Sequence, residues 1–233
     1  MLELKNINYI VDDKQILKDV SLKIDDKFVV ITGPNGSGKS TLTKICAGII
    51  KPTTGQVFLD NIDITNKNIT ERSKMGISFG FQQPVTFKGL KVSDLLKLAK
   101  GKEASFSEIC DILSEVGLCA RDYYDRNLDN KLSGGELKRI EIAMVIARNS
   151  KISIFDEPEA GIDLWSFQRL IQVFEKMIAN TKGSILIISH QERILNIASK
   201  IIYLNDGVVE RYEEKEKILP DIIKNINATC KKL

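Results

Sequence analysis

Residues Gly33-Pro34-Asn35-Gly36-Ser37-Gly38-Lys39-Ser40-Thr41 fit the pattern G-x-x-x-x-G-K-[ST]. They lie between an apolar run, Phe28 to Thr32, and a stretch from Ser40 to Ile50 whose apolar residues recur at helical spacing. Strand, loop, helix is the order that a phosphate-binding loop requires. Its glycines let backbone amides converge on phosphate oxygens, and the helix that follows turns its positive end toward the anion. Lys39 is expected on the β- and γ-phosphates and Ser40 on Mg²⁺. The pattern predicts binding of a nucleoside triphosphate, against the plainer reading of a structural glycine turn.

Around this loop the apolar pattern describes an α/β chain. Leu2 to Leu4, Ile16-Leu17, Val20 to Ile24 and Phe28 to Thr32 read as strands, with turns at Asp12-Asp13 and Asp25-Asp26. Gln56 to Ile64 alternates as a strand pair, and Ile77 to Phe81 is a further short run. Val92 to Val116 and Glu136 to Ala147 have helical spacing. From Ile152 onward, strands at Ile152 to Phe155, Ile185 to Ile188 and Ile201 to Leu204 alternate with helical stretches at Leu164 to Ala179 and Gln191 to Ala198. That alternation is the mark of a parallel sheet with crossover helices. The charge run Glu210 to Lys217 is expected to be a solvated surface, and Leu219 to Ile226 a closing helix.

Composition narrows the class of partner. A net charge of +3 over 233 residues exerts no strong pull toward nucleic acid or an anionic membrane. No apolar stretch approaches the ~18 residues needed to cross a bilayer, and the opening MLELKNINYI lacks the pattern of a signal peptide. Cys46, Cys110, Cys119 and Cys230 are scattered without a C-x-x-C pair, and His190 is the single histidine. A zinc site or disulfide framework is therefore not expected, and a reducing cytoplasm is. Cys46, Cys110 and Cys119 read as packed thiols, and Cys230 as exposed by its position near the end.

The run Ile152 to Phe155 ends in Asp156-Glu157. Alone, this is often a strand entering a polar loop. With the phosphate loop upstream, Asp156 is expected to hold Mg²⁺ through water and Glu157 to act as general base on the attacking water. Leu132-Ser133-Gly134-Gly135-Glu136 leads directly into a helix, and Ser133 with Glu136 three residues on can form a capping box. The same residues resemble the signature motif of the ABC ATPase superfamily. Gln82 in Phe81-Gln82-Gln83-Pro84 then resembles the Q-loop glutamine, Ala160-Gly161-Ile162-Asp163 the D-loop, and His190 in Ile188-Ser189-His190 the switch histidine.

The resemblance implies an α/β fold: a P-loop RecA-like core with an antiparallel β-subdomain and an inserted helical subdomain. The whole chain, 1–233, would be a single domain, with core and β-subdomain at 1–83 and 151–233 and the helical subdomain at 84–150. It implies a Mg²⁺-dependent ATPase with Lys39, Gln82, Glu157 and His190 as catalytic residues. ATP would be held by Gly33, Pro34, Asn35, Gly36, Ser37, Gly38, Lys39, Ser40 and Thr41 of one chain. Ser133, Gly134, Gly135 and Glu136 of a second chain would complete that site in a head-to-tail, ATP-dependent homodimer. Ser40, Gln82 and Asp156 would hold Mg²⁺, His190 would contact the γ-phosphate, and Asp163 would face the opposing subunit. For adenine, Tyr9 and Val11 both stay open.

Within the superfamily, Gly135-Glu136-Leu137-Lys138-Arg139-Ile140-Glu141-Ile142 resembles the corresponding run of the SufC family, the ATPases of SUF iron–sulfur cluster assembly. Phe81 to Val85 with Gly89 and Val92, Glu159, Ser189 to Asn196 and Asp13 to Lys18 are similar too. Pro158 and Ala160 depart from that family's pattern. This resemblance implies a SufB-like or SufD-like scaffold docking on the helical subdomain, a cytoplasmic location, no nucleic acid partner and no direct membrane insertion. The alternative is the nucleotide-binding subunit of an ABC transporter, coupled to a separate membrane permease. A DNA-repair ATPase is disfavoured, because no long heptad insertion separates loop from signature.

Overall fold

The computed structural model describes residues 1–83, 89–101, 103–128 and 132–230, with side chains described as far as Lys224 in the last helix. Pro84 and Val85 of the glutamine-loop comparison, and the Cys230 side chain, lie outside the described residues. The chain forms two compact units, Met1–Met75 with Ser184–Leu233, and Gly76–Gly183.

The first unit opens with a hairpin of β1 (Leu2–Val11) and β2 (Lys14–Ile24). Asp12 and Asp13 turn it in left-handed conformations, φ 46° and 60°, which short carboxylate side chains tolerate better than most. β3 (Phe28–Thr32) is buried along its whole length and feeds the glycine loop into α1 (Lys39–Ala47). The apolar spacing predicts a helix to Ile50, but Gly48 ends it earlier by taking a left-handed φ of 76° and returning its N–H to Ile45. β4 (Thr54–Leu59) and β5 (Ile62–Asp63) follow, giving an antiparallel sheet in the order β2-β1-β4-β5. α2 (Ile69–Met75) is a helix that apolar periodicity does not announce. It begins in a reciprocal cap, Glu71 N–H to Asn68 Oδ1 at 3.0 Å and Asn68 N–H to Glu71 Oε2 at 2.9 Å.

The second unit contains β6 (Ile77–Gly80), the helices α3 (Val92–Lys100), α4 (Phe106–Glu115), α5 (Ala120–Tyr123) and α6 (Gly134–Arg148), then β7 (Ile152–Asp156) and α7 (Leu164–Asn180). β6 and β7 pair in parallel from Ile77 opposite Ile152 to Gly80 opposite Phe155. Leu95 and Leu96 of α3, Ile109 and Leu113 of α4, and Ile140 and Ala143 of α6 are all buried, as the helical spacing requires. Phe155 meets Phe174 of α7 in a T-shaped ring contact, centroids 5.3 Å apart.

Returning to the first unit, the chain adds β8 (Ser184–Ile188), α8 (Glu192–Asn196), β9 (Lys200–Asn205), β10 (Val208–Glu214) and α9 (Lys215–Cys230). β3 pairs in parallel with β8 on one side and β9 on the other, which is why its residues are apolar without alternation. β10 pairs antiparallel with β9. The expected solvated surface at Glu210 to Lys217 is exposed or half-buried throughout; the difference from the expectation is that it comprises most of a strand and the start of α9. Tyr212 explains part of the difference, since its ring lies under the Lys200 ammonium at 5.4 Å and anchors a strand that charge alone would not mark.

Candidate functional site

The glycine loop is held by main-chain geometry and by its own lysine. Gly33, at φ 141°, lies so close to β9 that a Cβ there would stand 1.9 Å from the Leu204 carbonyl oxygen, so no other residue fits. Gly36, at φ 80°, faces open space with nothing within 4 Å of a built Cβ. Lys39 is buried, and its ammonium donates to the carbonyls of Gly33 at 2.9 Å and Pro34 at 2.7 Å, drawing the loop around itself. The loop is braced from behind by the β9–β10 turn. Gly207 N–H donates to the Ser37 carbonyl at 3.1 Å and accepts at its own carbonyl from Lys18 N–H at 2.9 Å, while Lys18 pairs with Asp206 at 2.7 Å.

Ser37 carries the clearest sign of a ligand. Its hydroxyl is buried yet has no hydrogen-bond partner, an arrangement that costs about 1–3 kcal/mol unless a bound group answers it. That orphan hydroxyl, the open approach at Gly36 and the amides at the head of α1 together fit an anionic phosphate chain. Ser40 and Thr41 are half-buried in the first turn of α1. Ser189 N–H donates to the Ile31 carbonyl at 3.1 Å, so β8 ends beside β3 and presents exposed His190 one residue later. On β1, Tyr9 is half-buried and Val11 is exposed.

The far end of α1 holds a residue that sequence reasoning missed. Arg72 of α2 is 1% exposed and donates from Nη1 to the carbonyls of Ile45 at 2.7 Å and Cys46 at 2.9 Å. Its Nε reaches Lys67 O at 3.0 Å and its Nη2 reaches Thr65 O at 3.1 Å. A cation thus closes the negative end of the helix whose positive end heads the loop. Asn68-x-x-Glu71 was the sequence signal for this helix, although nothing local announces the buried arginine. Burial also pushes the neighbouring Cys46 thiol up to about 12. Cys110 is half-buried, but Cys119, expected to be packed, is exposed because it stands outside the short α5 as its N-cap.

The remaining residues belong to the second unit. Asp156 is buried at the end of β7. Glu157, next in the chain, adopts a left-handed φ of 45°, a conformation costly for a non-glycine residue and often found where a side chain must be aimed. Its Oε2 accepts a hydrogen bond from Gln82 Nε2 at 2.8 Å, so two residues 75 apart in sequence meet. The Gln82 segment is fastened to α6: Phe81 N–H donates to Glu141 Oε1 at 2.7 Å, and the Lys138 ammonium donates to the Phe81 carbonyl.

At the head of α6 the capping box is formed. Glu136 N–H donates to Ser133 Oγ at 3.3 Å, and Ser133 N–H to Glu136 Oε2 at 2.6 Å. The Glu136 carboxylate also takes the Tyr123 hydroxyl and lies 3.3 Å from Arg126. Burial pushes this carboxyl up, but hydrogen bonds from Tyr123 and Ser133 outweigh it and hold Glu136 at about 2. Its charge is thus committed within its own helix terminus, while Ser133 and Gly134 are exposed. Asp163 likewise caps α7, accepting from Trp165 N–H and Ser166 N–H at 3.0 Å each.

Ser40, Gln82 and Asp156 offer hydroxyl, amide and carboxylate oxygens, the hard donors that suit Mg²⁺. Among the described residues no group of three or more His, Cys, Asp or Glu gathers.

Comparison with known proteins supplies the context for this geometry. Residues 17–160 match the family described as ABC transporter. The uncharacterized ABC transporter ATP-binding protein MJ0035 of Methanocaldococcus jannaschii is 37% identical over 227 residues, spanning 93% of this chain and 90% of its own length. The probable ATP-dependent transporter ycf16 of Cyanidium caldarium is 34% identical over 225 residues, spanning 90% and 88%. Among solved structures, the dimeric post-hydrolysis state of the ATP-binding cassette MJ0796 bound to ADP and Pi matches with a TM-score of 0.79 at 30% identity, over 92% of this chain and 99% of that one.

Proposed function

The chain belongs to the ABC transporter family of ATP-binding cassettes, and from that membership we propose that it is the ATP-hydrolysing subunit of an assembly whose moving part is a separate membrane permease. It is an ATPase with the mixed α/β cassette fold. In this reading Gly33 to Thr41 hold the triphosphate, with Lys39 leaving the loop carbonyls for the β- and γ-phosphates. Glu157 takes the proton of the water that attacks the γ-phosphorus, ADP departs, and His190 contacts the γ-phosphate. Ser40, Gln82 and Asp156 would hold Mg²⁺, which would supply positive charge against the phosphate oxygens. Ser133, Gly134 and Gly135 complete the site of a second copy, with Glu136 shaping that helix terminus rather than reaching the ligand. Two chains closing over ATP are supported by the dimeric form of the MJ0796 cassette.

The observation that carries the ATPase reading is the buried, unpartnered Ser37 hydroxyl inside a loop drawn around Lys39. The permease is favoured because relatives matched over nine-tenths of the chain are named as transporter components. Among the described residues no helix is long and apolar enough to cross a membrane. The helical subdomain at 84–150 is the surface proposed for docking. A second reading, iron–sulfur cluster assembly on a soluble scaffold, is supported by the run Gly135 to Ile142. The relatives' names reverse the preference for it that the sequence suggests.

Two experiments test this. Lys39→Ala is expected to abolish ATP binding and turnover, and unchanged ATPase activity would remove the loop from the mechanism. Affinity capture of the full chain from detergent-solubilised membranes should recover a multi-span permease. Recovery of a soluble scaffold alone would overturn the transporter reading in favour of the second.

A further inference from the structure

The Phe81–Gln82 segment leaves β6 without regular structure, yet both main-chain groups of Phe81 are bound to one face of α6. Phe81 N–H donates to Glu141 Oε1 at 2.7 Å, and the Phe81 carbonyl accepts from Lys138. The Lys138 ammonium also reaches the Gln82 carbonyl at 3.3 Å and closes onto Glu141 Oε2 at 2.8 Å. The lysine is 1% exposed. Burying an ammonium is costly, and an apolar pair could fill comparable space without that desolvation. What an apolar pair cannot do is grip one residue by its main-chain donor and its main-chain acceptor at once. Directly after that grip comes Gln82, whose side chain donates to Glu157. The helix providing the grip is the one headed by Ser133.

We propose that Lys138 and Glu141 form a two-point clamp through which the helix headed by Ser133 sets the position of Gln82, and with it the Gln82–Glu157 contact. They are positioning residues for hydrolysis, and this deepens the ATPase reading above, on whose roles for Gln82 and Glu157 it rests. A helix is stiff over the two turns from Ser133 to Glu141, so a load arriving at its head is delivered to the glutamine segment rather than absorbed. Occupation of Ser133 by a second copy's nucleotide would in this way be reported to Glu157.

The test is a double-mutant cycle on the full-length chain with Lys138→Met, Gln82→Ala and both together, reading ATPase rate against ATP concentration. Lys138→Met is expected to lower kcat about tenfold, since small displacements of a positioning group cost rate rather than binding, with KM unchanged within about twofold. Gln82→Ala should lower kcat as well, and the double variant should be no slower than Gln82→Ala alone. Lys138→Arg, which keeps a buried cationic donor, should recover most of the rate. Losses that multiply in the double variant, or a Lys138→Met change confined to KM, would overturn the clamp. If Lys138→Met does not fold, Glu141→Gln takes its corner of the cycle under the same criteria. Should Gln82→Ala and Glu157→Gln both keep wild-type turnover, the underlying ATPase assignment falls and the clamp with it. Should they lose turnover while Lys138→Met and Glu141→Gln do not, the clamp alone falls.

Discussion

Replacing Arg72 with Met tests whether the buried guanidinium is structural in the way its contacts say. The guanidinium donates four hydrogen bonds, to the carbonyls of Lys67, Ile45, Cys46 and Thr65. Removing it does not affect these acceptors equally. Ile45 O keeps the Gly48 N–H at 3.1 Å, and the Lys67 and Thr65 contacts are only partly buried, so water can replace the lost donor there. Cys46 O is buried and loses a charged donor at 2.9 Å. An orphaned buried acceptor costs about 1–3 kcal/mol, and weakening of the Ile45 site adds about 1 kcal/mol. Set against this is the relief of no longer burying a cation, which in a symmetric ion pair can cancel the whole loss. Here the partners are backbone carbonyls that remain behind, so cancellation is incomplete and a net loss of about 1–3 kcal/mol is expected. Urea unfolding should show a lower midpoint at unchanged slope. Arg72→Lys, with fewer donors in a different geometry, should fall between. A Met variant within about 0.5 kcal/mol of the parent would refute the reasoning, because it would mean the carbonyls at the end of α1 gain nothing from the arginine.

Glu157→Gln is expected to bind ATP normally, to slow turnover at least a hundredfold as loss of a general base does, and to accumulate an ATP-bound dimer visible by light scattering; normal turnover would remove its role. Glu136, brought from its usual 4.5 to about 2, binds its proton more weakly folded than unfolded. It therefore contributes stability above pH 4.5 that is lost as pH falls toward 2. Glu136→Gln should consequently lose less stability than the parent between about pH 7 and about pH 3, as read from urea midpoints. Gly33→Ala should yield little folded, nucleotide-binding protein because its Cβ would meet Leu204 O at 1.9 Å, while Gly36→Ala, with open space in front of it, should fold and be purified in quantity.

The parts of this fold legible in the sequence are those where one residue type does one local task. Phe28 to Ile31 is apolar at every position because strands flank it on both sides, and the glycines behind it need conformations only glycine enters cheaply. Ser133 and Glu136 announced a helix start on spacing alone, and the cap formed as read. The missed features depend on residues remote in sequence. Arg72 belongs to a short polar helix, and only folding brings the end of α1 to it. Lys138 and Glu141 stand in the run Gly135 to Ile142, and nothing in that run announces that they bind the main chain of Phe81. β10 was masked by its charges, because strand identity there comes from β9 rather than from alternation.

That same charged strand has a consequence for how the molecule behaves among its own copies. β10 has β9 on one flank and ends the sheet on the other, leaving a row of main-chain donors and acceptors that another chain could adopt as a template for strand addition. Glu210, Arg211, Glu213 and Glu214 crowd that border, and Arg211 is tied to Asp221 at 2.8 Å and to Glu213 at 3.0 Å. An incoming strand would have to desolvate this palisade before making its first hydrogen bond. Irreversible sheet-to-sheet adhesion is thereby discouraged, and self-association is left to surfaces that can let go.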